Sequence, residues 1–163
     1  MAKIKLVRVD SRLLHASIVI YWHQYVNAGT IVVVDSEIAK DPFYQKILAL
    51  SVPSYLKIRV FDEAGVLDYC NDEKYSEEKA ILLVKNIEVI YRLIKQGAPI
   101  KAFQICRPVL NGIQNKKNGI AEYYGEKDKQ YMQELLDAGV KICYQVRTDE
   151  EKIKITSKIL KLK

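Results

Sequence analysis

The sequence predicts a single-domain, doubly wound α/β fold over residues 1–163, with a mostly parallel sheet of about seven strands and helices on both faces. Three observations predict it. Short β-rich runs alternate with longer amphipathic stretches along the whole chain, which is the pattern of successive βα units. The run Ile31-Val32-Val33-Val34 is continuously apolar and β-branched, as expected of a parallel strand covered on both faces. The 163 residues, 49% of them hydrophobic, amount to one domain and can bury a core without crosslinks or metal.

In chain order, the strands expected are Ile4 to Val9, Thr30 to Asp35, Lys57 to Phe61, Ala80 to Val84, Ala102 to Cys106, Ile120 to Tyr123 and Lys141 to Val146. Between the first two, Ala16 onward reads as a helix that includes Trp22 and His23. Asp41 followed by Pro42 is an N-cap and first helical residue for Phe43 to Leu50, and Pro53 ends that helix. Asn86 caps Ile87 to Gln96, with Ile87, Ile90, Tyr91 and Ile94 on one face and Gly97 as a left-handed stop. Glu126 to Ala138 repeats that logic and stops at Gly139. Asp149 or Thr148 opens a last amphipathic helix through Leu160.

Two stretches lack periodicity: Asp10 to Ala16, after the first strand, and Arg107 to Gly119, after the fifth. In an open α/β sheet both emerge at carboxyl ends of strands, where ligands bind. Long loops that the fold does not require carry function more often than framework.

Charge and composition remove several function classes. The 26 basic and 20 acidic residues leave a net charge of +6, a bias toward anionic ligands or acidic partners, part of it from the tail Lys152, Lys154, Lys158, Lys161 and Lys163. No finger, basic zipper or aromatic RNA-binding motif accompanies the lysines, so nucleic acid is not expected as a partner. The longest apolar stretches, Ala16 to Trp22 and Ile31 to Val34, fall far short of the roughly 18 residues a spanning helix needs. Met1 to Asp10 reads as a strand rather than a leader peptide. Cys70, Cys106 and Cys143 are widely spaced and odd in number, as in a protein with reduced thiols, and no pair has metal-ligand spacing.

The chemistry points to the first loop, Arg8-Val9-Asp10-Ser11-Arg12-Leu13-Leu14-His15-Ala16-Ser17. It begins at a strand end and finishes where a helix starts. An imidazole there, with Arg8 and Arg12 nearby, Asp10 available to set its tautomer and the Ala16 and Ser17 amides just beyond, is equipped to receive a phosphoryl group without a metal or cofactor. Neutral imidazole is a competent nucleophile near pH 7, and guanidinium groups neutralise phosphoryl oxygens. By spacing alone, a loop histidine that caps or bridges backbone is the commoner case. His23, inside the helix beside Trp22, reads as structural. Cys106-Arg107 lies at a strand end, but a Cys-x5-Arg phosphate loop would need arginine where Gly112 stands, so Cys106 reads as a structural thiol. Walker, dinucleotide and nucleophile-elbow glycine patterns do not occur.

The opening Val7-Arg8-Val9-Asp10-Ser11-Arg12-Leu13-Leu14-His15 resembles the start of the IIB subunits of the mannose, fructose and sorbose family of the bacterial sugar phosphotransferase system. The similarity continues through Ile31-Val32-Val33-Val34-Asp35, Asp41, Leu83-Val84-Lys85-Asn86, Gly97-Ala98-Pro99-Ile100-Lys101 and Glu134-Leu135-Leu136-Asp137-Ala138-Gly139-Val140. The resemblance implies that His15 accepts a phosphoryl group from a phosphohistidine of a IIA domain and passes it to sugar held by the membrane subunits IIC and IID. Arg12 would help hold the group. It implies a cytoplasmic protein, peripherally associated with the permease, with a homo-oligomer left open. Two departures stand out. The family carries Gly-Gln-Val where this chain has Ala16-Ser17-Ile18, and a Gly-Gly pair where it has Cys106-Arg107. They leave two effects in competition: less room for backbone amides at the phosphate, and an added charge from Arg107. The rival readings are a IIB-like binding or regulatory module with weakened transfer, and an enzyme that binds a small phosphorylated ligand through Arg8, Arg12 and His15.

Overall fold

The computed structural model describes residues 1–106 and 119–161. Its strands are β1 (Lys3–Val9), β2 (Thr30–Val34), β3 (Lys57–Phe61), β4 (Lys79–Val84), β5 (Ala102–Ile105), β6 (Lys141–Tyr144) and β7 (Ile153–Lys154). They form one sheet in the order β3-β2-β4-β1-β5-β6-β7, parallel throughout except for the antiparallel β6 and β7. From β1 the chain crosses to β2 on one side. From β4 it crosses over β1 to β5 on the other, so the direction of winding reverses at β1 and opens a crevice at its carboxyl end.

Side chains alternate between the two faces, and each face has its own core. Val32, Val34, Leu82 and Val84 pack with α4 (Glu63–Asn71), α5 (Ile87–Lys95), α6 (Glu126–Asp137) and α7 (Ser157–Leu160). Ile31, Val33, Ile81 and Leu83 pack with α1, whose π-helical Ile18–Trp22 continues as α-helical His23–Tyr25. The short α2 (Ser36–Ala39) and α3 (Pro42–Leu50) lie on this second face beside β3. β2 and β4 are buried on both sides, which is why their sequences are unbroken apolar runs.

The capping signals act as the sequence implies. The Asp41 carboxylate accepts from the Tyr44 N–H ahead of Pro42, and the Asn86 side chain accepts from the Val89 N–H. Gly97 and Gly139 take φ of 93° and 87°, conformations that a Cβ would strain.

Two expectations are corrected. Residues 120–123 form a turn of 3-10 helix, not a strand. Ala121 and Tyr124 are buried three apart, and the Tyr124 hydroxyl donates to the Cys106 carbonyl at 2.8 Å, a helical spacing that the short apolar run conceals. The expected helix from 148 to 160 is instead β7 followed by the single turn α7. Lys152-Ile153-Lys154-Ile155 alternates with period two, suited to a lysine-bearing edge strand, and the Thr156 side chain caps the helix that follows. The sheet therefore has seven strands, with β7 in place of the one expected at 120–123.

Candidate active site

At the end of β1 the Asp10 N–H still bonds to the Val84 carbonyl at 2.8 Å, so the sheet holds the first residue of the loop. A turn follows, closed by the Leu13 N–H on the Asp10 carbonyl at 2.9 Å. Leu13 has φ of 54°, uncommon for a residue with a Cβ, and its side chain is buried in the second core. Packing of that leucine holds a backbone shape that propensity would not choose. The turn returns the Arg12 N–H to Asp10 Oδ1 at 3.1 Å. The His15 carbonyl then accepts from the Ile18 and Val19 N–H groups at 3.0 and 3.3 Å, which puts His15 at the start of α1.

Asp10 is the hub. Its Oδ2 lies 2.8 Å from His15 Nε2 and accepts from Arg12 Nη2 at 3.0 Å, while Oδ1 accepts from Arg12 Nε at 3.0 Å. Arg8 Nε is 3.4 Å from Oδ2. Burial would raise the Asp10 carboxyl, but hydrogen bonds from His15 and Arg12 outweigh it and hold the group far below the ordinary carboxylate range. An acceptor-only carboxylate makes Nε2 the protonated nitrogen of a neutral imidazole and leaves the lone pair on Nδ1. Ser17 Oγ lies 3.2 Å from that Nδ1.

His15, Asp10, Arg12, Ser17 and Ala16 lie together in this loop, with Ala16 and Ser17 in the first helical turn, where amides lack intrahelical partners. Arg8 is corrected from a phosphate ligand to a support. It is fully buried beneath Asp10, with its guanidinium 4.6 Å above the Trp22 ring and donating to Gln104 Oε1 and to the Gln145 and Val146 carbonyls. Arg12 presents its Nε and Nη2 edge to Asp10, and its side chain remains 41% exposed to solvent. Arg107, the other basic candidate, lies outside the described residues. Cys106 is structural: it is buried, its Sγ donates to the Val9 carbonyl at 3.3 Å, and burial pushes its thiol up to about 12.

The residues that sequence reasoning missed are Gln104, Gln145, Tyr21 and Arg147. The Gln104 amide donates to Gln145 Oε1 at 2.9 Å, so both hold Arg8. Polar residues facing one side of apolar strands were the available signal. A cavity of about 380 Å³ opens beside Ser17, lined by Tyr21, Trp22 and the segment 146–149. Arg147, which is paired with Asp149, follows β6 at a carboxyl end, the position where loops of this fold bind. Among the described residues, no group of three or more His, Cys, Asp or Glu side chains is arranged to hold a metal ion, and no helix is long and apolar enough to cross a membrane.

The chain is 29% identical over 160 residues to the sorbose-specific EIIB component of the PTS from Lacticaseibacillus casei, covering 96% of this chain and 94% of that one. It is 26% identical to the mannose-specific EIIAB component of Escherichia coli K12, covering 98% of this chain but 49% of the longer relative. The manxB structure from Thermoanaerobacter tengcongensis superposes with a TM-score of 0.77 at 30% identity, covering 99% of this chain and 97% of that one. The IIBSor domain of the sorbose permease of Klebsiella pneumoniae has the same fold, with a TM-score of 0.81 at 24% identity and 96% of each chain covered. The family model of the PTS system sorbose subfamily IIB component matches residues 4–163, and this chain belongs to that family.

Proposed function

We propose that this protein is the phosphocarrier of a sugar phosphotransferase system, taking a phosphoryl group on Nδ1 of His15 from a IIA domain and giving it to a sugar held by the membrane subunits IIC and IID. The observation that carries the reading is the 2.8 Å contact of His15 Nε2 with the buried Asp10 carboxylate. In the first step the Nδ1 lone pair attacks phosphorus of the donor phosphohistidine. The new N–P bond forms as the donor N–P bond breaks, and the donor imidazole leaves with its electron pair. The positive charge that develops on the His15 ring is met by Asp10, while the exposed side of Arg12, the Ser17 hydroxyl and the first amides of α1 are positioned for the phosphoryl oxygens. In the second step a sugar hydroxyl attacks phosphorus, the His15 N–P bond breaks with its electrons returning to Nδ1, and the hydroxyl proton passes to base or water. No metal enters either step. The protein would act on the cytoplasmic face of the permease, with the choice of sugar made by the subunits that hold it.

The test is incubation with phosphoenolpyruvate, the general phosphotransferase proteins and a IIA donor, followed by NMR of the phosphorylated imidazole. An acid-labile, base-stable label on Nδ1 of His15 is expected, absent from His15→Ala. Binding of IIA without label would instead make the chain a docking module, and label on Nε2 would overturn the role given to Asp10.

A further inference from the structure

The two faces of the sheet are unequally covered. Over β5 and β6 one face carries α5, α6 and α7. On the other, α1 reaches β1, where Trp22 lies against Arg8 and Leu6 packs on the α1 cluster, and no helix among the described residues covers the amino ends of β5 and β6. The consequence is visible at Ala102: β5 is an interior strand, between β1 and β6, yet Ala102 is exposed. A groove of about 460 Å³ runs along this bare face, with Leu6, Ala102 and Cys143 on its floor. Lys5, Lys141, Lys152 and Lys154 form its rim. All four lysines are exposed, and none has an ion-pair partner among the described residues, whereas Lys95, Lys127 and Lys129 do.

An apolar strip between unneutralised ammonium groups calls for an occupant with an apolar stripe and carboxylates on its flanks. The width selects a helix. From β1 to β7 there are three strand spacings, about 14 Å, which accommodates one helix of about 10–12 Å diameter between the lysines on either side. That is the place a covering helix takes on the opposite face. Leu6 lies four residues, or roughly 13 Å along the strand, from Asp10, so the groove sits toward the amino ends of the strands and the His15 loop at the carboxyl ends. We propose that this lysine-rimmed groove docks an acidic amphipathic helix of a partner protein, completing the helical layer while leaving the His15 loop open to a second partner.

The experiment titrates the full ¹⁵N-labelled chain with two synthetic helical peptides that share a leucine stripe, one flanked by Glu and one by Lys. The Glu peptide is expected to shift the amides of Leu6, Ala102 and Cys143, to weaken with added salt, and to lose about tenfold in affinity in the variant Lys5→Glu/Lys141→Glu/Lys152→Glu/Lys154→Glu. Circular dichroism and a parallel set of Lys→Ala substitutions separate lost binding from lost fold. Labelling of His15 by IIA is expected to change less than about twofold in the same variant, because steering by distant exposed charges is screened. The proposal is overturned if the Glu peptide leaves those amides unshifted, if the Lys peptide binds as well, or if a short RNA binds more tightly than the Glu peptide. It is overturned too if the free protein is a dimer that the charge reversals dissociate, since the groove would then serve a second copy.

Discussion

Nε2 of His15 sits 2.8 Å from Oδ2 of Asp10, and behind that carboxylate lies the fully buried guanidinium of Arg8. The order of these groups sets the chemistry. Gln104, together with the Gln145 and Val146 carbonyls, orients Arg8, Arg8 and Arg12 hold Asp10, and Asp10 turns the imidazole so that its free lone pair faces Ser17 and the opening. Each link is made by a group on a sheet strand or in the loop that follows one, so the nucleophile inherits the rigidity of the sheet.

Replacing the hub tests that order. Asp10→Asn removes a buried charge from between two arginines, and breaking a buried pair by deleting one partner costs about 3 to 5 kcal/mol. A fall of that size in urea denaturation is expected, together with loss of Nδ1 labelling as the tautomer preference disappears. Unchanged stability would mean that Arg8 and Arg12 do not depend on the carboxylate.

Arg12 engages Asp10 through its Nε and Nη2 edge, a two-point grip that lysine cannot copy. Arg12→Lys keeps the charge and loses the fork. Phosphoryl transfer to His15 is expected to slow by roughly tenfold, the scale of one charged hydrogen bond. Single-turnover labelling checks this, and an unchanged rate would restrict the role of Arg12 to its charge.

Stability at acid pH turns on Glu78, whose carboxylate accepts from Arg59 Nε at 2.9 Å and from the Tyr69 hydroxyl at 2.9 Å. The Arg59 hydrogen bond, against desolvation and with help from Tyr69, lowers Glu78 below its ordinary 4.5. A depressed carboxyl contributes stability above its unfolded value, and that contribution is lost as pH falls through the folded one. Glu78→Gln is therefore expected to be less stable than the natural chain at pH 7, with the gap closing below about pH 4 as the natural carboxylate is protonated. A gap that stays constant between pH 7 and pH 3 would remove Glu78 from the acid response.

The strands with strong β-branched runs, the capped helices and the His15 loop were legible because local signals and tertiary role agree there. Asp41 and Asn86 cap where a cap is needed, and Ile31 to Val34 is apolar because both faces are covered. The misreadings fall where a few residues serve two periodicities. Ile120 to Tyr123 is too short to separate strand from helix, and residues 148–160 hide a two-residue strand and a one-turn helix within what reads as one amphipathic stretch. Arg8 lies on the strand that its sequence position implies, but it supports Asp10 from the core instead of facing the loop opening. Its burial depends on Gln104 and Gln145, which are about a hundred residues or more away and meet it only through strand order.

Ser17 offers the sharpest test of the site, because its hydroxyl faces the nitrogen proposed to carry the phosphoryl group. At rest, Oγ lies 3.2 Å from Nδ1, a weak contact between neutral groups whose loss costs about 0.5 to 1.5 kcal/mol. Once Nδ1 is phosphorylated, the same hydroxyl can rotate to donate to an anionic oxygen, a bond of roughly 1.5 to 3 kcal/mol. The difference favours the phosphorylated state, so Ser17→Ala is expected to shorten the lifetime of phosphohistidine and to lower the extent of labelling at equilibrium by about tenfold. Ser17→Thr, which keeps the hydroxyl, is expected to restore both. The measurement is the decay of label after removal of the donor, followed alongside the circular dichroism of each variant. If Ser17→Ala holds its label as long as the natural chain, the hydroxyl does not contact the phosphoryl group, and stabilisation of that group falls to Arg12 and the amides that open α1.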